Sequence, residues 1–541
     1  MKKLIVLGVF FVQAIAFAQD KPKLVVGIVI DQMRQDYLYR FSEKFGEDGF
    51  QRFKNQGYTF KNAHYNYVPT YTAPGHASIY TGTTPSNHSI IANYWYDKKI
   101  GRSRYCVADE SEVSVGGSEQ AGKMSPRNLQ ASTITDELLL TTNFRSKVVG
   151  VSIKDRGSIL PAGHNPTGAY WFDSKTGNFI TSSYYLEKLP IWVETFNNQK
   201  LVNHYLTQSW EPLLPIEEYV ESTPDEVPYE NAFKGQSSAV FPYILPELVK
   251  NNGIGIIRTT PYGNTLVMDM AIAAIEGESL GDDQITDFLA VSFSSTDYVG
   301  HAFGPNSIEL EDTYLRLDLE LQRLFEYLDQ SFGDDYLVFL TADHGVVEVP
   351  QFLLDNKMAG GYRNNENTEK KVEEALIEKF GKGEWIENLS NNQVFLNHSL
   401  IEERGIDLKV FRNFLKKTIL KLDDVSRVYT ADEIAANTAA DPFKGRLANG
   451  FNMQMSGDLL IALKPGFLNE SGYDRKGTTH GSGYTYDTHV PILFYGQGIR
   501  AGSSVRPVSI TDIAPTLSML LEVSLPSFCT GKPLIDLFEN E

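Results

Sequence analysis

Short, unbroken apolar runs that each give way to a polar or charged residue dominate this chain. Leu24-Val25-Val26-Gly27-Ile28-Val29-Ile30 stops at Asp31, and Val148 to Ile153 stops at Lys154-Asp155-Arg156. Phe288 to Phe293 leads to Asp297, Tyr336 to Leu340 leads to Asp343-His344, and Val490 to Tyr495 follows His489. A strand with one wet face alternates apolar and polar residues, whereas a strand covered on both faces is apolar throughout. These runs therefore predict parallel strands buried between helices. Between them, Leu310, Tyr314, Leu317, Leu321, Leu324 and Leu328 recur at spacings of four and three, which makes one apolar helical stripe. Ile510 to Leu521 reads as a closing helix. The alternation predicts an α/β fold, a central mostly parallel sheet sandwiched by helices. The polar residues gather at the C-terminal ends of the strands, where open α/β sheets assemble their sites.

At 541 residues, 42% of them hydrophobic, the chain is long enough for one large core carrying insertions. Two stretches break the strand–helix pattern and are expected to wall the site. The first, about 165–260, is rich in Tyr, Pro, Asn and Glu; the second, about 357–455, is charged and mostly helical in pattern. The N-terminus reads as an export signal over residues 1–18. Lys2 and Lys3 precede an apolar run from Leu4 to Ala18, and Ala16-Phe17-Ala18 is a small-x-small cleavage site. That run is too short for a membrane span. Cleavage near Ala18 would leave a catalytic domain of 19–541, periplasmic or secreted, with no stable membrane insertion.

Lys and Arg number 49 against 68 Asp and Glu; without Lys2 and Lys3 the balance is 47 against 68, a net charge of −21. Such a surface repels nucleic acid and anionic lipid. It also repels phosphate esters, so a phosphate-directed site needs local cations, and bound metal supplies them. Cys106 and Cys529 are the only cysteines. An oxidising compartment permits their pairing, but their spacing does not place them together.

Asp297 and His301 stand four apart, so one helical turn or a tight loop aims both at one point. Asp343-His344-Gly345 leaves a strand end, Asp31 ends the first strand, and His480-Gly481 lies in a loop rich in Gly, Thr and Ser. Each alone is an ordinary cap, turn or core residue. Together they are three Asp and three His, a mixed nitrogen and oxygen set that suits zinc. In Thr72-Ala73-Pro74-Gly75-His76-Ala77-Ser78, Pro74 fits the first turn of a helix and places Thr72 just before its N-terminus. There the free N–H groups favour an anion. A threonine hydroxyl is a weak nucleophile that metal coordination activates. Thr70 and Ser78 are rivals, the first further from the helix start and the second inside it.

The set Asp31, Thr72-x-Pro74, Asp297-x-x-x-His301, Asp343-His344-Gly345 and His480-Gly481 resembles the alkaline phosphatase superfamily. The likeness is to the branch shared by nucleotide pyrophosphatase/phosphodiesterases and PafA-type alkaline phosphatases, and it runs from Asp31 to about Leu521. It implies two zinc ions per chain. One would be held by Asp297, His301 and His480, the other by Asp31, Asp343, His344 and Thr72. His489 is the rival to His480. The resemblance also implies two in-line displacements through a covalent phospho-Thr72.

Within the superfamily, Asn93 matches an asparagine that contacts a non-bridging phosphate oxygen. Lys154-Asp155-Arg156 matches a Lys-x-Arg element of the monoesterases. A monoester dianion carries an extra charged oxygen, which Lys and a forked Arg can bind, whereas a diester puts an organic group there. A sulfatase would need Cys or Ser in a Cys/Ser-x-Pro-x-Arg element, which Thr72-Ala73-Pro74-Gly75-His76 lacks. The expected function is thus hydrolysis of small phosphate monoesters by a monomer. A phosphodiesterase on the same fold and a non-catalytic phosphate- or zinc-binding protein are the alternatives.

Overall fold

The computed structural model describes residues 21–436, 441–469 and 475–538, so the expected export signal lies outside the described residues. The apolar runs form the central sheet. Its main strands, in chain order, are β1 (Leu24–Ile30), β2 (Tyr58–His64), β3 (Val148–Ser152), β4 (Gly168–Asp173), β5 (Asn178–Ser182), β6 (Asp287–Phe293), β7 (Tyr336–Thr341) and β8 (His489–Gly496). They lie side by side as β2-β8-β7-β1-β6-β3-β4-β5, with short strands at both edges. β7, β1, β6, β3 and β4 are mutually parallel. Every residue of β1 and β6 is buried, as expected of strands covered on both faces.

Helices cover the sheet. The predicted stripe lies on a helix over Ile308–Phe332, with all six of its apolar residues buried. Ser307 caps it by accepting from the Leu310 N–H at 3.1 Å. The closing helix runs from Ile513 to Leu521 after a 3₁₀ turn over Ile510–Asp512. Among the described residues no helix is long and apolar enough to cross a membrane.

β8 runs antiparallel to β7, and β2 antiparallel to β8. Hence β8 begins at the edge of the sheet where the parallel strands end, and β2 ends there too. Segments entering β8 and leaving β2 therefore meet the residues that follow β1, β3, β6 and β7.

The insertions need new boundaries. The region expected at 165–260 opens inside the sheet. Gly168–Asp173 pairs in parallel with β3, and Asn178–Ser182 pairs antiparallel with β4. Aromatic side chains on a sheet flank explain why this stretch did not read as core. The region expected at 357–455 carries helices, among them Asn365–Phe380 and Leu408–Ile419, but is not helix alone. It holds a four-stranded antiparallel sheet of Ile386–Ser390, Gln393–Leu396, Val425–Thr430 and Leu459–Leu463, and so runs past 455. Helices over Asn365–Phe380 and Leu408–Ile419 close a separate small core against it.

Candidate metal-binding active site

The expected site residues converge at the C-terminal edge of the parallel strands. Asp31 directly follows β1 and is fully buried. Asp297 and His301 lie one turn apart on α1 (Ser295–Phe303), the helix after β6, with His301 Nε2 3.1 Å from Asp297 Oδ1. Asp343 and His344 leave β7. His344 Nε2 stands 3.5 Å from Asp31 Oδ1 and 3.5 Å from Asp343 Oδ2. His480 precedes β8, its Nε2 3.6 Å from Asp297 Oδ1 and its ring stacked on His344 with centroids 3.4 Å apart. Two groups of potential ligand atoms result: Asp31, Asp343 and His344, and Asp297, His344 and His480.

The donor set fits divalent metal. Asp31 Oδ1 and Asp343 Oδ2 are buried without a hydrogen-bond partner, a costly arrangement for carboxylate oxygens unless a cation faces them. Each histidine donates Nδ1–H to a carbonyl: His301 to Thr478 at 2.7 Å, His480 to Thr70 at 2.7 Å and His344 to Gly345 at 3.0 Å. A carbonyl cannot donate, so all three Nε2 lone pairs are left for the site, the usual support for metal-bound imidazole. Burial, reinforced by His301, pushes His480 down to about 3. Burial and His480 hold His344 well below the ordinary histidine value. Neutral imidazole is the ligating form. Burial lifts the Asp31 carboxyl to about 6, with Asp297 adding to the rise and Lys154 opposing it. Burial and Asp31 likewise raise Asp343 well above the ordinary carboxylate value. Two carboxylates this close in a dry site cannot both ionise cheaply without a cation.

Thr72 is the first residue of the helix over Thr72–Thr81 (α2) rather than the residue before it, so Pro74 is the third residue of the helix. Its hydroxyl is buried, with Oγ1 3.4 Å from His344 Nε2. Gly75 makes this approach possible, since a Cβ there would lie 2.4 Å from the Asp343 carbonyl oxygen. The rivals point elsewhere. Thr70 donates to the Ser482 carbonyl at 2.9 Å, and Ser78 pairs with His88 Nε2 at 2.9 Å. His489 stacks on His64 and bonds the Lys61 carbonyl, on the outer side of β8.

Asn93 Oδ1 accepts from the Ala73 N–H at 2.8 Å, which ties Asn93 to the helix start beside Thr72. The Lys154 ammonium lies 2.6 Å from oxygens of both Asp31 and Asp297. Arg156 donates to the Tyr105 hydroxyl at 3.1 Å. Tyr105, Gln32 and Asp487 went unread in the sequence. Tyr105 also donates to Asp155, and Asp487 accepts from the N–H groups of Gly481 and Ser482, pinning the loop that carries His480. Gln32 touches both groups of ligand carboxylates. Only its place beside Asp31 could have marked it.

A strand-end constellation of this kind on this sheet has counterparts. A family model described as type I phosphodiesterase / nucleotide pyrophosphatase matches residues 25–484, and the chain belongs to that family. Several likenesses within it are nearly full-length. Alkaline phosphatase PafA of Elizabethkingia meningoseptica is 48% identical over 98% of both chains. A Myroides odoratus protein named calcium-transporting ATPase is 46% identical over 96% of this chain and 95% of its own. The crystal structure of wild-type alkaline phosphatase PafA matches with a TM-score of 0.92, at 48% identity, over 96% of this chain and 99% of that one. This chain is an enzyme of the phosphatase kind, with the same α/β fold.

Proposed function

We propose that this chain is an exported alkaline phosphatase, acting as a monomer, that hydrolyses phosphate monoesters through a covalent phosphothreonine at Thr72 with two zinc ions as cofactors. The observation that carries this reading is the setting of Thr72. Its buried hydroxyl begins a helix, 3.4 Å from His344 Nε2 and beside unpartnered carboxylate oxygens. When bound by Asp297, His301 and His480 and by Asp31, Asp343, His344 and Thr72, the metals would acidify the hydroxyl and offset charge on the entering and leaving oxygens.

The chain's own residues account for the remaining work. Thr72 Oγ1 loses its proton and attacks phosphorus. The new O–P bond forms as the ester P–O bond breaks, and the organic group departs as an alcohol. The positive end of the α2 dipole favours the negative phosphoryl group, although the Ala73 and Gly75 N–H groups already have partners and Pro74 has none to give. Because Asn93 Oδ1 is held by Ala73, its amide donors remain for a non-bridging oxygen. Lys154 and Arg156 add the positive charge that a dianion requires, with Tyr105 orienting Arg156. Water then attacks phospho-Thr72, releasing inorganic phosphate and returning a proton to the hydroxyl. Export follows from the signal over residues 1–18, with delivery to the periplasm or beyond.

Acid quenching during turnover tests the reading. The native chain should carry phosphate on Thr72. Thr72→Ala should carry none, turn over roughly 10³-fold more slowly or worse, and keep its zinc. Native turnover by that variant would sink the assignment. Rates on an aryl phosphate and its methyl ester separate this reading from a phosphodiesterase, and many turnovers per chain separate it from a phosphate-binding protein.

A further inference from the structure

Gln32 touches one carboxylate from each of the two ligand groups. Its backbone N–H donates to Asp343 Oδ1 at 3.1 Å, and its side-chain Nε2 donates to Asp297 Oδ1 at 2.8 Å. Carboxylates accept only, so the amide must present its nitrogen. Gln32 is 2% exposed, and neither bond competes with water. Its φ of +68° lies in the left-handed region, where a glutamine is uncommon. That sharp turn after β1 lets a single residue reach one group with its backbone and the other with its side chain. The helix carrying Asp297 and His301 is shaped around it: a Cβ on Gly300 would lie 2.0 Å from Gln32 Oε1. The two oxygens of Asp297 are held separately, Oδ1 by Gln32 and Oδ2 by Lys154. Oδ1 is also the oxygen that faces His301 and His480, at 3.1 and 3.6 Å.

We propose that Gln32 is a positioning residue that couples the two metal groups, aiming Asp297 Oδ1 at the point shared with His301 and His480 while its backbone holds Asp343. The proposal rests on the two-metal reading above. It predicts an asymmetry: removing the side chain should loosen the Asp297 group and leave the Asp343 group intact.

Gln32→Gly is the discriminating variant, because it relieves the left-handed backbone and keeps the N–H to Asp343. In competition with a graded zinc chelator, it should release one zinc per chain about 10- to 100-fold more readily than the native chain, and hold the other as before. The melting temperature of its metal-free form should not fall, and activity should recover at saturating zinc. Gln32→Glu, which sets an acceptor against Asp297, should show the same selective loss more strongly. Two zinc ions held with native affinity in both variants would overturn the proposal, as would parallel loss of both ions. A native chain that binds fewer than two divalent ions would overturn the two-metal reading and this proposal with it.

Discussion

Lys154 lies 2.6 Å from Oδ2 of Asp297, and the same ammonium lies 2.6 Å from Oδ2 of Asp31. Burial alone would lower its pKa, but the Asp297 and Asp31 carboxylates outweigh burial and raise it. Lys154 is therefore the counter-charge of the Asp31 and Asp297 carboxylates, in addition to the phosphate-directed role proposed for it. Removing one partner of a buried pair strands the other charges. In metal-free protein at neutral pH, Lys154→Ala should cost about 3 kcal/mol in chemical unfolding. The loss should shrink as pH falls below about 6, where Asp31 takes up a proton. An unchanged unfolding midpoint would show that the pair is not stabilising.

Lys154 and Arg156 also bear on substrate choice. Hydrogen bonds to charged groups contribute about 1.5–3 kcal/mol each, so losing two should lower kcat/KM on an aryl phosphate about a hundredfold or more. The methyl ester of that substrate lacks the extra charged oxygen. Lys154→Ala/Arg156→Ala should therefore hit monoester hydrolysis far harder than diester hydrolysis. Equal losses would show that these cations do not select the monoester.

Gly75 permits the contact between the helix that begins at Thr72 and Asp343. In Gly75→Ala the added Cβ would sit 2.4 Å from the Asp343 carbonyl oxygen and 2.7 Å from its Cβ, and backbone cannot yield as a flexible side chain can. Overpacking of this kind costs about 1–3 kcal/mol. The variant should melt at lower temperature and lose activity as Thr72 is pushed away from His344. Native activity would mean that the helix start has slack.

Asp487 gives a pH-dependent signature. Burial raises its carboxyl to about 7, although the Ser482 and Gly481 N–H groups oppose the shift. Between the unfolded value near 4 and about 7, the folded state binds the extra proton, so this group's contribution to stability falls as pH rises through that window. Above about 7 it is constant. The difference in stability between the native chain and Asp487→Asn should therefore change by up to about 4 kcal/mol across pH 4 to 7, measured by urea unfolding. A pH-independent difference would place the Asp487 pKa near its ordinary value.

Much of the site was legible because its residue types are unusual where they stand. Asp31, Asp297 and Asp343 follow buried, predominantly apolar strands, and the helical spacing of Asp297 and His301 is local. The one-residue shift at Thr72 is an end effect, since the first helical residue depends on which N–H groups find partners. Strands β4 and β5 were read as insertion because their aromatic residues suit a loop wall as well as a sheet flank. The small sheet ending at Leu463 was missed because two of its four short strands, Ile386–Ser390 and Val425–Thr430, carry polar residues on a partly exposed face.

The sequence by itself determined that the runs around Leu24–Ile30 and Asp287–Phe293 become buried parallel strands, because hydrophobic periodicity is a local property that any covered sheet must satisfy. It also determined the chemical inventory, three Asp, three His and one Thr, a set of donor types that suits a divalent metal. Only the tertiary structure decided which of these residues meet. His480 reaches Asp297 because β8 runs antiparallel to β7 and starts at the same edge, while His489, nine positions on, is carried to the outer face. Gln32 acquires its role from a left-handed turn and a gap at Gly300, 268 positions away. Such contacts depend on packing between distant segments, which no local pattern encodes.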